Sequence, residues 1–242
     1  MQDNPPLTPD VTDLKRTAFL PETTEGDGGV TDSKFSGRPW LAADEEWPTC
    51  PNCSNPLQLF LQLNLADLPA VEQERLGDRG LLQLFYCTNS DPLCEVDCEA
   101  FFPFADSEVA RFVEDPGADC NASADGPADP LAPRSIVGWE AVDDLPNTEE
   151  LKWDMDIEVT DQERDYLYDC GMPHPGDKLA GWPYWIQGVE YPDCPECDSR
   201  MELVFQIDSN CNLDYMFGDI GAGHLTRCPN HPGVLAFGWA CG

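Results

Sequence analysis

The chain has 242 residues, with 13 Lys plus Arg against 46 Asp plus Glu, a formal charge of −33. Hydrophobic residues make up 41%, including seven Trp and eleven Phe, which is enough to fill a core and excludes wholesale disorder. No apolar run approaches the ~18 residues of a membrane span, and so large an excess of acid repels phosphate backbones and anionic bilayers, so neither nucleic acid nor membrane is an expected partner.

Residues 1–34 are rich in Pro, Thr and Gly, with GDGG at 26–29, and are expected to form a flexible N-terminal arm or loop. The first ten lack the basic and apolar regions of a signal peptide, so a cytoplasmic location is expected. An internal repeat begins at residue 35. Phe35–Leu63 aligns without a gap on Leu179–Ile207, at an offset of 144, with nine identities in 29 positions. Ordinary residue frequencies would give about two. Two tandem, structurally similar halves are therefore expected, 35–114 and 179–242.

Within the first half, Leu57–Leu63 alternates as a strand does, and Leu81–Tyr86 is a second strand candidate. Helices are expected at Pro69–Leu76 and Ser107–Glu114. Residues 115–133 (DPGADCNASADGPADPLAP) read as a flexible connector. A central acidic segment, 134–178, follows, with strand candidates at Ile136–Trp139 and Met155–Val159. Thr160 with Glu163 forms a capping-box pattern that opens a helix at 161–169. The second half repeats the strand alternation at Met201–Ile207 and ends on Val234–Trp239. The expected fold class is α+β, rich in β.

The twelve cysteines carry the sharpest chemistry. Each half has a Cys-Pro-x-Cys knuckle, Cys50/Cys53 and Cys194/Cys197. This spacing turns two thiolates toward one ion, and structural zinc takes four such ligands in a tetrahedron. In the second half Cys228 and His231 complete a set, with Cys241 as the competing fourth ligand. In the first half Cys87 is the third ligand, and Cys94 or Cys98 the fourth. One or two structural zinc ions are therefore expected. Disulfides and a redox pair are the alternatives, but disulfides suit exported proteins and redox pairs sit at a helix start rather than before a strand, so zinc is the stronger expectation. Cys120, Cys170 and Cys211 have no partner at ligand spacing.

The densest acid lies at Glu140–Asp165, eleven carboxylates and two bases, with Trp153 inside and Trp139 at its edge. Such a run is usually a solvated face. It can also draw in a basic protein, and Trp139, Asp143, Asp144, Glu149, Glu150 and Trp153 are the candidate contacts. A Gly-rich stretch, Gly218–His224, could cradle an anion, with Asp219 and His224 as its polar groups, which would make the chain a small-ligand binder or an enzyme. A tight turn is the simpler expectation. The Asp208–Asp219 acids match a calcium loop only in part, because Leu213 stands where that loop needs Gly. No nucleophile elbow, phosphate loop or HExxH pattern occurs, so no catalytic residue is expected.

Asp177–Gln187, Cys194-Pro-Glu-Cys197, Met201–Asp208, Met216–Asp219 and Cys228-Pro-Asn-His231 resemble the YwqG-like family of bacterial proteins of unknown function. Trp47-Pro-x-Cys50-x-x-Cys53 and Gly80–Tyr86 fit its first half, and Val137–Trp139 with Asp144–Pro146 its centre. More distantly the chain is similar to programmed cell death protein 2 and its yeast relative, which share paired Cys motifs and act as chaperones for a basic ribosomal protein. That resemblance implies a binding module for a basic client rather than an enzyme. The 115–133 insert and the extreme acidity depart from the family pattern.

Overall fold

Alternating apolar side chains dominate the fold of the computed structural model, which describes residues 7–242. Among the described residues ten strands form: β1 (Arg16–Glu25), β2 (Lys34–Phe35), β3 (Gln58–Asn64), β4 (Leu81–Tyr86), β5 (Glu108–Val113), β6 (Arg134–Asp144), β7 (Lys178–Ala180), β8 (Glu202–Asp208), β9 (Ala222–Arg227) and β10 (Leu235–Ala240). They make one antiparallel sheet in the order β10-β9-β8-β7-β1-β6-β2-β3-β4-β5. The two edges, β5 and β10, come side by side, so the sheet is barrel-like and nearly closed. Helices are few and short: α1 (Pro9–Thr12), α2 (Ala70–Leu76), α3 (Cys94–Asp97) and α4 (Asp161–Asp169). The fold is mostly β, which corrects the α+β expectation. Among the described residues no helix is long and apolar enough to cross a membrane.

Three local expectations also change. The N-terminal arm contains β1, which sits mid-sheet between β6 and β7; residues 1–6 lie outside the described residues. Ser107–Glu114 is not a helix. Its residues pair with β4 from Val113↔Leu81 to Glu108↔Tyr86, because a six-residue ladder outweighs helix propensity. Met155–Val159 is not a strand: it follows a π-helical turn at Glu150–Asp154 and tucks Met155, Ile157 and Val159 against Val11, Leu145, Leu151 and Leu167. The capping box at Thr160 and Glu163 is present, and Glu163 also accepts from the Thr8 amide at 2.7 Å.

The sets β2–β5 and β7–β10 share their pairings. Lys34 opposes Gln62 and Lys178 opposes Gln206; Gln62 opposes Gln83 and Gln206 opposes His224. A bulge falls between Leu59 and Leu61 in β3 and between Leu203 and Phe205 in β8. Gln62 Oε1 accepts from the Trp40 amide at 3.0 Å and its Nε2 donates to the Asp32 carbonyl at 2.9 Å. Gln206 Oε1 accepts from the Tyr184 amide at 2.7 Å and its Nε2 donates to the Gly176 carbonyl at 2.8 Å. These buried amides are therefore paired with backbone, which removes the cost of burying them.

An ion pair with a fully buried lysine fixes each half. Lys34 donates to Asp27 at 2.7 Å, and Lys178 donates to Asp144 at 2.9 Å. The carboxylates do more than neutralise charge. Asp27 accepts from the Arg38 amide, and Asp144 accepts from the Trp182 and His174 amides, both at 2.8 Å. Gly37 and Gly181 precede the Arg38 and Trp182 amides with φ of 84° and 75°, and a side chain at either would strike the aspartate. Around these pairs the core joins both halves through Phe35 against Phe205 and an aromatic cluster of Phe60, Tyr86, Tyr215, Phe217, Phe237 and Trp239.

Asp144→Ala should cost roughly 3–5 kcal/mol in chemical denaturation, because it strands a buried ammonium. The double change Asp144→Leu with Lys178→Met should cost much less, and equal losses would mean that the charge itself is immaterial. Hydrogen bonds from Thr8 and Thr160 outweigh the opposing effect of burial and hold the Glu163 carboxyl down to about 2. The stability that this contributes is present above the ordinary Glu range near 4.5 and is lost as pH falls through about 2. Glu163→Gln should therefore lose about 1–2 kcal/mol at pH 7, with the difference from the parent closing in acid.

Candidate metal centres

The two knuckles are built alike. Each sits in a tight loop that precedes a strand, closed by an isolated bridge, Thr49↔Pro56 in one and Asp193↔Arg200 in the other. The Ser54 amide donates back to the Cys50 carbonyl and the Asp198 amide to the Cys194 carbonyl, each at 2.8 Å. Ser54 and Asp198 take left-handed φ of 62° and 53° to close the turn. The other ligands come from the ends of the paired strands: Cys87 follows β4, Cys228 follows β9, Cys94 opens α3, and His231 lies in the turn before β10.

The structure brings together Cys50, Cys53, Cys87 and Cys94, and separately Cys194, Cys197, Cys228 and His231, with all ligand atoms in each set within 4.8 Å of one another. Cys53 and Cys87 sulfurs lie 3.7 Å apart, as do those of Cys197 and Cys228. His231 Nδ1 is 3.7 Å from both Cys194 and Cys228. Two sulfurs bound tetrahedrally at about 2.3 Å to one ion would stand about 3.8 Å apart, so the spacing fits a metal tetrahedron. Cys98 and Cys241, the alternative fourth ligands, belong to neither set. Cys170 and Cys211 are exposed, and Cys120 is half-buried.

Surrounding groups suit thiolates. The Asn230 and His231 amides point at Cys228 Sγ at 3.4 and 3.3 Å, and Asn52 Nδ2 points at Cys94 Sγ at 3.3 Å. Hydrogen bonds from Ser199 bring the Cys197 thiol down to about 6, whereas burial pushes Cys87 and Cys94 up. Four sulfurs this close cannot all ionise without a cation among them. His231 turns Nε2 toward Glu196 at 3.6 Å, which leaves Nδ1 facing the thiols, the usual outer-shell arrangement of a ligating histidine.

The expected partner contacts scatter. Asp143 is exposed and pairs with Lys15 at 3.1 Å; Glu149 is exposed; Trp153 is 75% exposed. Trp139 is half-buried, its ring against Phe205 and its Nε1 donating to the Asp67 carbonyl. Asp144 and Glu150 are fully buried, which withdraws them from any surface role. Asp144 is the Lys178 clamp. Glu150 accepts from Tyr191 Oη at 2.6 Å and Trp185 Nε1 at 3.2 Å. Of the Gly-rich stretch, Asp219 is exposed and the Gly221 amide is already spent on the Phe217 carbonyl, so Gly218–Gly221 is a turn. His224 lies in β9, buried.

Protein purified without chelator should carry up to two metal ions per chain by elemental analysis, and finding none would sink this assignment. Cys53→Ser and Cys197→Ser should each remove one ion. Each should also cost more than about 3 kcal/mol, a fall in Tm of roughly 6–12 °C for a chain of this size. Cys98→Ser should retain both ions.

Comparison with curated proteins returns no match. A family match does emerge, to the family described as Domain of unknown function (DUF1963), over residues 33–226, from the start of β2 almost to the end of β9. It spans Cys50, Cys53, Cys87, Cys94, Cys194 and Cys197 and stops just short of Cys228 and His231. With most of the sheet and both knuckles inside the matched region, the chain belongs to the DUF1963 family.

Proposed function

We propose that this chain is a protein-binding module, braced by two structural zinc ions, that takes a basic protein client. Zinc is favoured by the donors themselves, four sulfurs in one set and three sulfurs with an imidazole in the other. A tetrahedron filled by four protein ligands has no open position, so such an ion supports structure and not hydrolysis. The matching registers of the two sets of four strands support a tandem duplication, in which each half kept its own knuckle. The sequence resemblance to YwqG-like proteins and to programmed cell death protein 2 supports the same reading.

One observation carries the binding role. Trp153 is 75% exposed and Tyr168 is 84% exposed, both in the acid-rich segment of a chain with net charge −33. Large exposed aromatics amid carboxylates offer local contact area beside long-range attraction. Asp143, Glu149, Asp156, Glu158 and Asp165 are exposed in the same segment.

Basic clients should bind in titrations at low salt and keep measurable affinity near physiological strength, about 0.15 M, where screening acts over about 8 Å. Trp153→Ala, and joint neutralisation of Asp143 and Glu149, should weaken binding several-fold without lowering Tm. Binding that vanishes at that salt for every client, or that is equal for any polycation, would leave only nonspecific attraction and remove this function.

A further inference from the structure

The first half contains an internal arginine site. In β5, Arg111 stands opposite Gln83. Its Nε donates to Gln83 Oε1 at 2.7 Å, its guanidinium lies 5.3 Å from the Phe85 ring centroid, and it pairs with Glu45. Trp47 closes the place, edge-on to Phe85 at 6.4 Å. The connector covers it, with Asn121 donating to the Glu45 carbonyl and Gly126 lying against the Trp47 ring.

The second half has the same register and lacks the arginine. Gln206 opposes His224 as Gln62 opposes Gln83, and His224 in turn stands opposite Gly238 in β10. Gly238 thus holds the position of Arg111. A cavity of about 190 Å³ opens there, and His224, Trp185, Tyr191, Trp239, Glu190 and Gly238 are among its lining residues. Its walls are preset. Glu150 holds both the Trp185 and Tyr191 rings, whose centroids are 4.9 Å apart, and the Trp185 centroid is 4.6 Å from that of His224. His224 Nε2 is buried and has no hydrogen-bond partner, a deficit of the sort that marks an unfilled role.

We propose that this cavity receives an arginine side chain of the bound client, with His224 Nε2 accepting a guanidinium N–H, as Gln83 accepts from Arg111. Trp185, Tyr191 and Trp239 supply ring surface for the planar cation, and exposed Glu190 supplies the opposite charge that Glu45 gives in the first half. Burial and the nearby Lys178 ammonium hold the His224 imidazole down to about 3, so it is neutral and offers a lone pair at physiological pH. The inference rests on the reading of the chain as a binder of basic proteins and names where one residue of that client goes.

The test uses the full metal-loaded chain and a pentapeptide with one arginine between neutral residues. Its lysine and citrulline counterparts serve as controls, and a nona-arginine peptide stands in for the client. At 0.15 M salt the arginine peptide should bind at least tenfold more tightly than the citrulline one and shift the indole N–H signal of Trp185 in NMR spectra. Gly238→Arg should supply the chain's own arginine and abolish that shift. Because residue 238 lies against the 101–103 backbone, that variant risks misfolding. Glu190→Gln, at an exposed position, should weaken the peptide several-fold with an unchanged Tm. Equal binding of arginine and citrulline, or an unmoved Trp185 signal, overturns the proposal. If nona-arginine still binds in a Trp153-dependent way, only the cavity assignment falls; if no basic peptide binds at all, the client reading falls with it.

Discussion

Two of the four lysines in this acid-rich chain are fully buried, and the architecture turns on how they are held. Lys34 and Lys178 begin short strands, and each reaches an aspartate from a different part of the chain, Asp27 just past β1 and Asp144 at the end of β6. Each carboxylate also takes the amide of the residue that follows a left-handed glycine. The pair is thus a three-way joint between a strand start, the tight bend after it and a central strand or its extension. A buried ion pair adds little net stability against an apolar replacement, but removing one member is costly. Its contribution here is geometric, since the bends set the path of the segments that lead to the knuckles.

Much of this was legible in the sequence, for identifiable reasons. The knuckles, the alternation at 57–63 and 201–207 and the capping box are local patterns, and local patterns survive tertiary context. The fourth ligands were narrowed to pairs, and the chain path chose Cys94 and His231 because α3 and the turn before β10 fold back over the knuckles. What escaped depends on partners far away in sequence. The β1 segment contains Pro21 and a run of Thr and Glu, so nothing local marks it as a strand; it becomes one because β6 and β7 flank it. The helix-forming residues of 107–114 yield to the ladder with β4.

The acidic segment shows the limit of composition. Eleven carboxylates look alike in the sequence, yet three, Asp144, Glu150 and the capping Glu163, are internal. Asp144 is internal because Lys178 lies 34 positions on, and Glu150 because Tyr191 and Trp185 need an acceptor. Glu150 still shapes the surface, indirectly, since it orients two rings of the open cavity. The two halves differ at that place. One keeps an arginine under a tryptophan and a covering insert, and the other a glycine beside an unfilled space.

The sheet order has a consequence for how the chain comes off the ribosome. The N-terminal strand β1 lies beside β7, while β6, made just before the second set of strands, lies beside β2 of the first set. The central strands are thus exchanged, each adjoining the strands more distant from it along the chain. The β2–β5 set has an open edge at β2 until residue 134 onward is made, and β1 gains its β7 neighbour only when residues 178–180 emerge. Pairings across such long intervals form slowly and leave strand edges exposed in the meantime. A nascent chain stalled near the connector would present the β2 edge to its neighbours, and emergence of β6 is the step that closes it.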